Sequence, residues 1–89
     1  MRSIKQIERK IPINSMIVGR WYRLISKSGF EYIFKFKGLS SDGSIKKYHS
    51  YCLNFHVYGT NGRNLCKIMD VNDIFRVNRV EVLKYFNID

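Results

Sequence analysis

Proline occurs once, at Pro12, and serine and glutamine tracts are missing, so the chain has neither polyproline linkers nor the composition of a disordered segment. The two cysteines, Cys52 and Cys66, are too few for the disulfide framework of a small secreted domain. They flank an expected turn and can face each other across a hairpin, but two reduced, half-buried thiols are the more economical reading. No apolar run approaches the length of a membrane span. Lys5, Glu8, Arg9 and Lys10 stand where a signal peptide needs an unbroken apolar core. The expectation is a soluble, intracellular protein with no membrane partner. Acids are also scarce: 7 Asp and Glu against 16 Lys and Arg leave a net charge of +9. A field of that size and sign favours a polyanion, most often nucleic acid, sometimes an acidic protein or an anionic membrane surface.

Catalytic signatures are equally sparse. There is no glycine-rich phosphate loop and no nucleophile motif. Glu8, Glu31, Asp42, Asp70, Asp73, Glu81 and Asp89 fall mostly in turns or at helix starts, where capping accounts for them. A small nuclease using His49 or His56 as general base is the remaining enzymatic option, and a lone histidine is more often structural. His49, Cys52, His56 and Cys66 form a possible metal cluster. Along one strand, however, Cys52 and His56 stand about 13 Å apart, and His49 points to the face opposite both. The expectation is a non-enzymatic protein with no metal and no other cofactor.

What the sequence does contain is aromatic alternation. Phe30, Tyr32, Phe34 and Phe36 recur every second residue, so in a strand they share one face, while Glu31, Ile33, Lys35 and Lys37 share the other. Four large aromatics on one side of so short a chain point to a core wall, leaving the lysine face for solvent or recognition. Around this strand the chain reads as follows. Ser3 to Lys10 predicts a short helix or single turn from Ser3 with Gln6 and the Ile4, Ile7, Ile11 stripe. Beyond Pro12 the chain is extended to Ile13 and turns at Asn14 and Ser15. Met16 to Ser26 predicts a strand with a bend at Gly19, Tyr22 and Leu24 facing one way and Trp21, Arg23 and Ile25 the other. Lys27–Gly29 predicts a turn into the aromatic strand, and Asp42-Gly43 a tight hairpin turn out of it.

Ile45 to Tyr58 predicts the outgoing strand, long enough to need a bend near Ser50. Gly59 to Asn64 predicts the third turn, Leu65 to Met69 a short strand, and Ile74 to Val77 a last one. Asn78 followed by Glu81 fits a helix N-cap with its acid, opening a terminal helix through Val80, Leu83 and Phe86, although Val80 and Val82 suit a continued strand equally. The sum is one domain over residues 1–89: a helical turn and extended lead-in (1–15), a β-barrel (16–77) and a terminal turn or helix (78–89). The predicted fold is mainly β, a small SH3-like barrel of about five antiparallel strands with short helical turns at each end, which hides strand edges in so small a chain.

Val18-Gly19-Arg20-Trp21-Tyr22, Tyr32-Ile33-Phe34-Lys35-Phe36-Lys37 and the closing Val77-Asn78-Arg79-Val80-Glu81-Val82-Leu83-Lys84-Tyr85 resemble small β-rich accessory proteins encoded by tailed bacteriophages. The resemblance covers the chain from about Val18 onward and rests on strand and cap patterns. It implies expression in a host bacterial cytoplasm and a role in host takeover or counter-defence, through nucleic acid or through an inhibited host factor.

The residues themselves point to nucleic acid. Arg20, Arg23, Lys35, Lys37, Lys46 and Lys47 come from adjoining strands and are expected to neutralise backbone phosphates, with Tyr48 stacking on an unpaired base. Tyr22 and Trp21 are further stacking options. Arg76, Arg79 and Lys84 read as solvating the terminal element. The competing function is a protein-binding inhibitor or modulator of an acidic host enzyme or defence factor, with strand edges or the Ile4, Ile7, Ile11 stripe supplying apolar contact.

Overall fold

The computed structural model of the chain describes residues 9–59 and 64–86. Among the described residues six strands, β1 (Trp21–Ser26), β2 (Glu31–Leu39), β3 (Ile45–Cys52), β4 (Val57–Gly59), β5 (Asn64–Cys66) and β6 (Val71–Arg76), form one antiparallel sheet, and an α-helix, α1 (Arg79–Leu83), follows. The path runs β4-β3-β2-β1-β6, with β5 also on β3. No pairing of β6 with β4 or β5 closes it among the described residues, so the sheet is open by hydrogen bonding. Most of the predicted Ser3–Lys10 helix lies outside the described residues. Lys10 itself bridges Phe75, and Ile11 N–H donates to the Ile74 carbonyl, so the lead-in covers the outer edge of β6.

Alternation sets the two faces. Tyr22, Leu24, Phe34, Phe36, Ile45 and Ile74 pack with Met16 and Cys66 into the main core. Leu24, Phe34 and Ile45 are fully buried there. Cys66 from one end of the strand path and Ile74 from the other belong to this cluster, so the sheet curls around it. Phe34 and Phe36 are core side chains as predicted, whereas Phe30 and Tyr32 are only partly covered, Phe30 resting on Phe55 with ring centroids 5.5 Å apart. On the opposite face, Ile33 and Tyr51 join Val82 and Phe86 in a second cluster beneath α1. The Glu31–Lys37 face is therefore half roofed by the C-terminal helix instead of lying open.

Several boundaries differ from the sequence reading for identifiable reasons. The first strand starts at Trp21, because Met16–Arg20 forms a turn in which Arg20 N–H donates to the Ile17 carbonyl and Gly19 takes φ +93°. The third reversal lies at residues 53–56. There His56 N–H donates to the Cys52 carbonyl at 2.7 Å and the Asn54 side chain accepts from Glu31 N–H. The core of the predicted Gly59–Asn64 turn lies outside the described residues; on either side of it β4 pairs with Ser50–Cys52 and β5 with Ile45–Lys47, both antiparallel to β3. Lys67 to Met69 leaves the sheet, with a 3-10 turn at Ile68–Asp70 feeding β6. The bend expected near Ser50 is a bulge with His49 at φ +49°, a left-handed conformation uncommon outside glycine.

Two local predictions rest on turns and caps. The Asn78 side chain accepts from Glu81 N–H at 2.9 Å, which makes residues 79–83 helix instead of strand. Asn78→Ala is expected to cost about 1 kcal/mol, read from the urea midpoint. In the Asp42-Gly43 turn, hydrogen bonds from the Ser40 hydroxyl and Ser44 N–H hold the Asp42 carboxyl at about 2, below its ordinary 3.8. A carboxyl lowered by folding stabilises at pH above its ordinary value, and that contribution disappears as pH falls through the folded one. Asp42→Asn should therefore flatten the decline of thermal stability over this acid window relative to the parent chain.

Candidate nucleic-acid interface

The roof formed by α1 creates a cleft. Arg76 ends β6, Val77 and Asn78 turn the chain, and Val82 and Phe86 anchor the helix back over Trp21 and Ile33. Between this roof and the start of β1 lies a cavity of about 410 Å³ lined by Arg20, Trp21, Lys35, Arg76, Arg79 and Leu83, among others, with no acid in its wall. Arg20, Arg76 and Arg79 are exposed and Lys35 is half-buried. None of the four is ion-paired among the described residues. Four cations facing one cavity without counter-charge repel one another, and a bound anion relieves that repulsion.

Beside the cleft runs a row of rings. Trp21 stacks on His49 (centroids 6.1 Å, planes 24° apart), and His49 meets the Tyr48 edge at 4.2 Å. Tyr48 in turn lies under the Lys37 ammonium, 5.0 Å from its ring centroid. The His49 bulge makes this row. With two residues opposite Phe34 it brings the His49 ring between Tyr48 and Trp21, and it also reverses the alternation so that Tyr51 joins the α1 side. Tyr48, His49 and Trp21 are each half-buried, which leaves ring surface for a planar ligand.

The seven residues expected from sequence thus divide. Arg20 and Lys35 line the cleft, and Lys37 and Tyr48 continue its face; Lys46 shares that face by alternation with Tyr48. Arg23 does not join them. Its guanidinium is ion-paired with Glu31 and sits 4.7 Å over the Phe75 ring, so its charge is engaged within the fold. Lys47 lies on the other side of the sheet, 4% exposed, with its ammonium 3.3 Å from the Tyr32 ring centroid. A buried side chain on the core face cannot contact a phosphate on the cleft face. Arg76 and Arg79 line the cleft and His49 stands in the row of rings, and none of the three is among the residues expected from sequence. The Asn78 cap signal was legible, but nothing in the sequence says that the short helix folds back over Trp21.

No group of three or more His, Cys, Asp or Glu placed to hold a metal ion occurs among the described residues. Cys52 and Cys66 are free and buried; Cys52 ends β3, whereas Cys66 of β5 pairs with Ile45 at its other end. His56 is used by the fold, its Nδ1 2.6 Å from the Tyr51 hydroxyl. No described helix is long and apolar enough to cross a membrane. No family model and no curated protein matches the chain.

Proposed function

We propose that the protein binds single-stranded RNA or DNA, without catalysis, by seating backbone phosphates in the Arg20–Lys35–Arg76–Arg79 cleft and stacking unpaired bases along Tyr48, His49 and Trp21. The observation that carries this reading is a cleft lined, among the described residues, by four cations without an acid or an ion-pair partner, beside half-exposed rings. Phosphates supply affinity independent of sequence, and rings offer every base the same π-face, so little sequence preference is expected. The curled meander, its short connections and the return of β6 beside β1 support the SH3-like reading of the fold. With the phage resemblance, these features point to an accessory protein acting on nucleic acid in the host bacterial cytoplasm, in host takeover or counter-defence.

Leu83, in the wall of the cleft, and Val80, also on α1, are 46% and 69% exposed, and they favour a second reading, an acidic host protein docking on charge and apolar contact together. A salt titration of single-stranded and duplex oligonucleotides separates the two. The nucleic-acid reading expects log affinity to fall linearly with log salt and single strands to bind more tightly than duplex. Absence of binding at low salt, together with one stoichiometric protein captured from nuclease-treated lysate, would leave only the second.

A further inference from the structure

The second basic feature of the molecule lies on the opposite side of the sheet and serves no part of the cleft. Lys47 projects from β3 towards a separate cavity of about 410 Å³ whose wall includes Tyr32, Leu65, Cys66, the exposed Lys67, Met69 and Asp70. Its side chain is almost wholly buried, yet no carboxylate pairs with it among the described residues; its nitrogen rests on the Tyr32 ring instead. A cation–π contact satisfies an ammonium less fully than a carboxylate and water do, so the charged form is disfavoured here. Burial holds the Lys47 amine below its ordinary value, only partly opposed by the two cysteines, and a larger share of it is the free base.

From this placement we infer that Lys47 is a covalent capture site for small neutral aldehydes entering that cavity. The free amine attacks the carbonyl carbon and a C–N bond forms. The nitrogen proton passes to the carbonyl oxygen through solvent, and the resulting carbinolamine loses hydroxide, with a proton, as water. The product is a C=N bond with no change of oxidation state, and in its neutral form it no longer buries an ammonium charge that no carboxylate pairs with among the described residues. Cys66, the other nucleophile there, is pushed up by burial and stays a thiol, which is the less reactive form, so the chemistry falls to the amine. Met69, 74% exposed, and Leu65, 48% exposed, give the mouth an apolar rim suited to an uncharged ligand.

The test uses benzaldehyde with cyanoborohydride at neutral pH on the full chain, followed by peptide mapping by mass spectrometry. The expected result is a reduced adduct on Lys47 several-fold more abundant than on Lys35, Lys37 or Lys46, with this preference lost in urea. Lys47→Arg keeps a cation over Tyr32, and it should lose that adduct while its circular dichroism stays unchanged. Labelling of the exposed lysines with Lys47 protected, or a Lys47 preference that persists in urea, would overturn the inference. Neither outcome depends on whether the cleft binds nucleic acid.

Discussion

Replacing Arg20, Lys35, Arg76 and Arg79 together by alanine is expected to make the slope of log affinity against log salt shallower by about 3 for a single-stranded oligonucleotide, because each phosphate neutralised on a single strand contributes about 0.7. Extrapolated to 50 mM salt, the same loss weakens binding on the order of a thousandfold. Folding should be nearly untouched, since the four side chains are exposed or half-buried and free of ion pairs among the described residues. Two controls give the result its meaning. Lys27 and Lys67, both exposed, carry the same sign of charge away from the cleft, and their double alanine variant should change the slope far less. Lys47→Ala should leave the slope unchanged because that side chain faces the core. A slope that follows total charge removed, regardless of position, would reduce the cleft to general electrostatics.

The other large effect belongs to the aromatic strand. Phe34 is fully buried against Tyr22 and the rest of the main core, and Phe34→Ala is expected to cost about 3–5 kcal/mol through lost burial and the cavity left behind. Domains of this size hold roughly 0.05–0.15 kcal/mol per residue, so the variant should lie close to unfolding in water. Phe30→Ala, at a partly covered ring, should cost much less. Urea denaturation of both variants gives the comparison. A stable Phe34→Ala chain that had lost oligonucleotide binding would make the ring part of the recognition surface and contradict the two-core arrangement.

The strand pattern was legible because alternation is a local signal. Phe34 and Phe36 inward, Trp21 and Arg23 outward, the Asp42-Gly43 turn and the Asn78 cap each follow from a few neighbouring residues. Features that depend on distant partners were not legible in the same way. The His49 bulge breaks the alternation of β3, so a strict two-residue count places Tyr51 with Lys47, whereas the bulge sends Tyr51 beneath α1. The reversal after β3 is made by Asn54 and the left-handed His56, neither of which belongs to a dipeptide that marks a turn in the sequence. Lys47 and Arg23 illustrate a further limit. Both are basic residues in strands beside recognition candidates, and only three-dimensional packing shows one stacked on Tyr32 and the other held by Glu31. The cleft itself depends on the return of α1 over the sheet, which joins Arg76 and Arg79 to Arg20 and Lys35 across more than forty residues of chain.

Trp21 provides the most direct measurement. It is the sole tryptophan, it lines the cleft, and its ring stacks on His49. Titrating the protein with a single-stranded oligonucleotide should quench its emission saturably, with an apparent affinity that falls log-linearly as salt rises and a response that disappears in the Arg20, Lys35, Arg76 and Arg79 variant. Oligonucleotide binding that leaves Trp21 emission unchanged, or that survives intact in that variant, would contradict the assignment of the cleft and its rings as the nucleic-acid interface.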